Sequence, residues 1–275
     1  MARFLGALLL CLAAALPAAA QESRAADETP LPLTTERAPT IPRGAAVLEA
    51  YAEYLDTHAV PFVSPEGSLL RAPVVSLRYG AADNVEFQVE GAAQVWGFAD
   101  EDDEKVEDEH EVGDFTLWTK WLALKEKKKR PAVALRWGVK LPNASDESGL
   151  GTDETDVFGS VVVSKRLGKK TGLDANLGVA ILGDPTEARR QNDVLTYGAS
   201  LTRIMSKNTA LLMEVAGTSG KGHAPPRSVA RLGFKWFPYR SRFHFFAAGL
   251  AGLTSRSPDW GALVGAGRAF HRKAK

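Results

Sequence analysis

Cysteine is nearly absent: the 275 residues contain one, Cys11, and it lies in an N-terminal apolar stretch. Once that stretch is removed, the chain can form no disulfide and no cysteine-based metal site. Beyond residue 20 no apolar run approaches the ~18 residues that a membrane-spanning helix needs, which excludes a helical membrane protein. Neither charge sign is in excess. Against 34 Lys and Arg stand 33 Asp and Glu, a formal net charge of +1, so nothing global points to nucleic acid. The five histidines are His58, His110, His223, His244 and His271. No Gly-x-Ser-x-Gly elbow, His-Glu-x-x-His helix or phosphate loop accompanies them. No catalytic residue, cofactor or metal site is expected.

What is present begins with a secretion signal. Arg3 supplies the positive start, residues 4–16 the apolar run, and Ala18, Ala19 and Ala20 the small residues of a cleavage site. Residues 1–20 are read as a signal peptide cleaved after Ala20. Residues 21–43 are rich in Pro, Thr, Glu and Arg without periodicity, and are expected to form a flexible periplasmic lead-in.

From about residue 45 to Phe270 the chain keeps one rhythm of strand-like segments. In 85–98, Val85, Phe87, Val89, Gly91, Ala93 and Val95 share one face, while Glu86, Gln88, Glu90 and Gln94 share the other. A period of two belongs to a strand. In 132–141, Val133, Leu135, Trp137, Val139 and Leu141 oppose Arg136 and Lys140. In 228–237, Ala230, Leu232, Phe234 and Trp236 oppose Arg231 and Lys235. A soluble β-sandwich would bury those cations unpaired at high cost. A barrel whose apolar face meets lipid and whose polar face lines a wet lumen accepts them.

The segments 45–56, 69–80, 85–98, 113–126, 131–142, 155–168, 171–183, 191–205, 209–219, 227–238, 242–253 and 259–270 make about twelve strands, an even number as bacterial barrels require. Short joins alternate with long ones, which places both chain ends and the short turns on the periplasmic side. The fold class is all-β: a transmembrane antiparallel up-and-down barrel spanning 44–270, with 271–275 a basic C-terminal tail. Trp96, Phe98, Trp118, Trp121, Trp236, Phe237, Tyr239 and Phe270 fall near strand ends, where interfacial girdles belong.

Two loops and one turn stand out by charge. Residues 100–111 are nearly all acidic and could collect divalent cations by charge density, but no spacing there matches a calcium loop. Residues 143–156, with Asp146, Glu147, Asp153, Glu154 and Asp156, read as an ordinary surface loop, with a weak calcium site as the alternative. Lys125, Lys127, Lys128, Lys129 and Arg130 make a basic turn that would face the periplasm. The residues expected to line the lumen and meet a solute are Glu86, Gln88, Glu90, Gln94, Lys120, Arg136, Lys140, Arg166, Glu214, Arg231 and Lys235, with Glu49, Glu53 and Arg78 beside them. Carboxylates fall on the early strands and cations on the later ones. Such walls would orient a polar solute, or else pair across the lumen and plug it.

Gly113-Asp114-Phe115-Thr116-Leu117 and Ala134-Leu135-Arg136-Trp137-Gly138-Val139-Lys140-Leu141-Pro142 resemble motifs of the outer-membrane family assigned to the meta-pathway of phenol degradation. Asp156-Val157-Phe158-Gly159, Ser164-Lys165-Arg166-Leu167-Gly168, Asn192-Asp193-Val194-Leu195-Thr196-Tyr197-Gly198 and Pro258-Asp259-Trp260 fit as well. The likeness covers about residues 74–270, and its motifs mark strand ends and turns. It implies passage of aromatic or other hydrophobic compounds. The closing Gly267-Arg268-Ala269-Phe270 resembles the signal read by the barrel-assembly machinery, although 271–275 follow it.

The expectation is therefore a bacterial outer-membrane barrel, porin-like, passing small solutes passively. Its partners would be outer-membrane lipid, the solute and the assembly machinery. A barrel plugged by its own salt bridges is the alternative. A lipid enzyme at the rim is disfavoured, because no serine follows His244 closely and the register points it inward.

Overall fold

The structure is a computed structural model that describes residues 33–56, 67–99, 109–148, 150–184, 190–220, 224, 226–239 and 241–270. Residues 1–20, expected to be a signal peptide, residues 21–32 of the expected lead-in, residues 100–108 of the acidic loop and the tail 271–275 lie outside the described residues.

Fourteen strand segments form one sheet: β1 (Ala46–Leu55), β2 (Gly67–Ala82), β3 (Val85–Ala92), β4 (Val95–Ala99), β5 (Glu109–Glu111), β6 (Phe115–Leu124), β7 (Ala132–Leu141), β8 (Asp156–Leu167), β9 (Thr171–Gly183), β10 (Gln191–Ile204), β11 (Thr209–Ser219), β12 (Arg227–Trp236), β13 (Phe243–Gly252) and β14 (Trp260–Phe270). Every pairing is antiparallel, and β1 closes the sheet on β14 from Ala46↔Phe270 to Leu55↔Gly261. β3 with β4, and β5 with β6, are each one barrel strand with a break, so the barrel has 12 strands, as the alternation predicts. A ten-residue strand tilted by about 40° rises roughly 25 Å, the height of a hydrocarbon layer.

The two faces of the wall differ as expected. Outward side chains include Leu77, Phe87, Leu117, Trp137, Val161, Leu177, Leu195, Leu232, Phe234 and Val264, and Leu177 is 58% exposed. An apolar surface that encircles the molecule far exceeds the few hundred Å² that a water-soluble monomer shows. Inward positions carry Glu49, Glu53, Glu86, Gln88, Lys120, Asp174, Glu214 and Lys235, all buried.

The break between β3 and β4 corrects two assignments. At Ala93 and Gln94 the strand bends, held by Ala93 N–H donating to Pro73 O (2.8 Å) and Ala72 N–H donating to Gln94 O (3.0 Å). The bend resets the alternation, so Val95 turns inward to a buried apolar cluster rather than outward. Gln94 sits on the bend and not on the inward strand face. Trp118 also faces inward rather than joining an outer girdle, because Lys120 and Leu122 on the same parity are buried. Phe237 likewise packs in a tilted arrangement against the inward His244, with ring centroids 5.6 Å apart.

The flexible lead-in is corrected for its described part. Residues 33–41 do not hang below the barrel; they run through it as a strap. Gly44, at φ 74°, makes the reversal between strap and β1 that an L side chain resists. Gly44 N–H donates to Gly80 O (2.7 Å), and a Cβ on Gly80 would stand 2.3 Å from the Pro42 carbonyl oxygen. The sequence in 33–41 has no period because it pairs through side chains of the wall and not through a ladder.

Candidate functional site: a charged lumen crossed by residues 33–41

The strap is fixed at both sides of the lumen. On the β11 wall the Glu214 carboxylate accepts from Thr34 N–H (3.0 Å), Thr34 O–H (2.8 Å) and Thr35 N–H (3.1 Å), and from Leu33 N–H. On the opposite wall Glu36, 2% exposed, meets Arg78 at 2.9 Å, Lys120 at 3.0 Å and Arg136 at 3.5 Å, and accepts from the Gln88 amide at 3.1 Å. Arg37 forms a two-point pair with Asp174, Nη2 at 2.8 Å and Nε at 3.2 Å. Ala38 N–H donates to Ser164 Oγ (2.8 Å), whose hydroxyl donates to Asp174 (2.6 Å). Ile41 N–H donates to Glu86 (2.8 Å).

Lys120 shows why these charges tolerate burial. Its ammonium is fully enclosed, yet it lies 3.1 Å from Glu86 and 3.0 Å from Glu36, and donates to the carbonyls of Arg37 (3.0 Å) and Pro39 (3.3 Å). A buried charge with this many acceptors is compensated, whereas loss of one partner leaves it costly. Two further groups continue the network. Glu49 accepts from Lys235 (3.0 Å) and contacts His244 Nε2 (2.7 Å), and Glu53 pairs with Arg71 and with Arg231 at 3.9 Å.

Of the residues expected in the lumen, the structure gathers Glu86, Gln88, Lys120, Arg136 and Glu214 around the strap. Arg231 donates to Thr34 Oγ1 at 3.2 Å, and Lys235 holds Glu49. Glu90 faces inward one step further along β3, half-buried. Lys140 sits apart near the long-loop end, with Asp156 (2.8 Å), Asp114 (3.3 Å) and Thr152 (2.7 Å). Arg166 is at the short-turn rim, 64% exposed beside Glu126, and does not reach the central lumen.

Sequence reasoning missed Glu36, Arg37 and Asp174. The signal for Asp174 was available: Asp174 and Asn176 oppose Leu173, Ala175 and Leu177 in the same alternation. Nothing in 33–41 distinguishes a docked segment from a free one.

Toward the long loops the inward face turns apolar. Leu55, Leu69, Val74, Ala92, Val95 and Leu250 cluster there, with Tyr51, Leu150 and Val229 against them. Ala180, Val194, Phe158 and Leu182 form a second patch. Trp118 lies between the regions, its ring 3.6 Å below the Arg136 guanidinium and 5.1 Å from Phe158. A Cβ on Gly138 would be 2.4 Å from the Trp118 ring, so this position must be glycine for the ring to lie flat on β7.

Solved structures resolve the architecture. An outer membrane channel from Pseudomonas putida F1 superposes with TM-score 0.61 at 17% identity, covering 84% of this chain and 97% of that one. The NanC porin gives 0.56 at 7% identity, covering 82% and 100%, and the KdgM porin 0.54 at 8%, covering 82% and 99%. This chain has the fold of outer-membrane channels. No protein-family model matches it, and no curated protein matches it in sequence. The likeness therefore shows the architecture and leaves solute and pathway to the chemistry of the lumen.

Proposed function

We propose that the chain is an outer-membrane channel for small aromatic solutes, with residues 33–41 setting the width of the passage. The observation that carries this reading is the lumen's division. An apolar inward face with Trp118 at its base lies toward the long loops, and a paired charged girdle lies below it. An aromatic carboxylate would place its ring on the apolar wall and Trp118, and its anion toward Arg136. The motif resemblance to the phenol meta-pathway family supports the same solute class. The outward apolar belt supports outer-membrane placement, with short turns periplasmic and long loops extracellular. A second reading is a barrel kept shut, and the strap itself favours it.

The test is ion current through the full chain in a planar bilayer, with benzoate or acetate added. Benzoate interrupts the current at concentrations where acetate does not. Equal, non-interrupting passage of both ions overturns the aromatic assignment, and a protein that never conducts supports the shut barrel.

A further inference from the structure

The short-turn rim has no part in the proposed passage, and its charge is one-sided. The turn between β6 and β7 exposes Lys125, Lys127, Lys128, Lys129 and Arg130. The turns between β8 and β9 and between β10 and β11 expose Lys169, Lys170 and Lys207. Strands β6 to β11 are consecutive neighbours, so these turns stand side by side. Their one acid, Glu126, is engaged by Lys165 (3.0 Å) and Arg166 (3.7 Å). The first turn is closed by its backbone, Lys127 N–H to Arg130 O (2.9 Å) and Arg130 N–H to Lys127 O (3.2 Å). Lys165 braces it by donating to the carbonyls of Lys127 (2.8 Å) and Lys128 (3.2 Å). The ammonium groups of Lys127, Lys128 and Lys129 are thus not needed to hold the turn.

Immediately above, the outward face carries Leu124, Leu167 and Met205, exposed by 41, 51 and 60%. Within a few residues the surface passes from apolar to cationic. That order matches acyl chains followed by phosphate in one leaflet. A soluble acidic partner would match the charges and leave the apolar border unused. We infer that the rim from β6 to β11 is a binding surface for anionic phospholipid headgroups in the periplasmic leaflet, with lipid phosphate held among Lys127, Lys128, Lys129, Lys169 and Lys170. The inference rests on membrane placement but not on conduction, so a barrel that passes nothing can still satisfy it.

The test is electron paramagnetic resonance of spin-labelled lipid around the full chain in vesicles, comparing phosphatidylglycerol with phosphatidylcholine. Phosphatidylglycerol associates with the protein about threefold or more over phosphatidylcholine at low salt. The preference disappears near 1 M salt, where screening acts within ~3 Å. Replacing Lys127→Ser, Lys128→Ser and Lys129→Ser together brings the ratio toward one, and Lys→Arg at the same positions keeps it. Equal association of both lipids with the unaltered protein overturns the inference. So does a folded serine variant that retains the full preference, or binding of the rim to peptidoglycan sacculi without lipid preference. Should the serine variant fail to fold, the ratio for the unaltered protein and its loss in salt decide alone.

Discussion

Replacing Glu36 by glutamine tests how the strap is held. The carboxylate answers Arg78, Lys120 and Arg136 at 2.9, 3.0 and 3.5 Å. The amide removes that charge while keeping the shape. Three cations then share Glu86 and its neighbours, and breaking a buried charge cluster at one partner costs about 3–5 kcal/mol. The barrel wall keeps its own ladders, so the cost falls on docking of residues 33–41. Converted at 1.4 kcal/mol per tenfold, the undocked fraction rises by about two to three and a half powers of ten. Thr35, 4% exposed, reports this directly. With Cys11 replaced by serine, a Thr35→Cys chain is labelled slowly by a water-soluble maleimide. Adding Glu36→Gln speeds labelling by about a hundredfold or more. An unchanged rate would refute the claim that the Glu36 cluster anchors the strap, and a loss of the folded barrel would refute its confinement to docking.

Three other substitutions probe separate parts of the account. Leu177→Arg, on the outward face of β9, destabilises the folded barrel in lipid vesicles by about 2–4 kcal/mol in urea titrations; a water-facing position would change by less than about 0.5 kcal/mol. Gly80→Val drives a side chain into the Pro42 carbonyl and undocks the strap, so the Thr35→Cys labelling rate rises without Glu36 being touched. Trp118→Ala removes the ring beneath Arg136, and benzoate interruption of the current weakens roughly two- to tenfold while acetate is unaffected.

Strand number, closure and the two-faced wall were legible because period-two alternation is a local signal with a global consequence. Glu86, Gln88, Lys120, Arg136, Glu214, Arg231 and Lys235 were found that way, and the structure turns each of them inward. Alternation fails where the strand bends at Ala93 and Gln94, which displaces Gln94 and turns Val95 inward. Trp118, by contrast, shares the parity of Lys120 and is inward by the alternation itself, so nearness to a strand end is what misleads there. Arg166 has the right parity but lies at the strand's end, a matter of depth that parity does not encode. Glu36 and Arg37 were invisible for a different reason. Their conformation is set by partners such as Lys120 and Asp174, 84 and 137 positions away. A proline- and threonine-rich segment carries no local record of such contacts.

In the proposed channel, residues 33–41 set the width of the passage through the barrel. The decisive comparison is the single-channel conductance of the full chain against that of the same chain lacking 33–41. The full chain is expected to show a small conductance and the deletion a severalfold larger one, each in the folded barrel. Identical conductances, or no conductance from a folded barrel freed of its strap, would contradict this role.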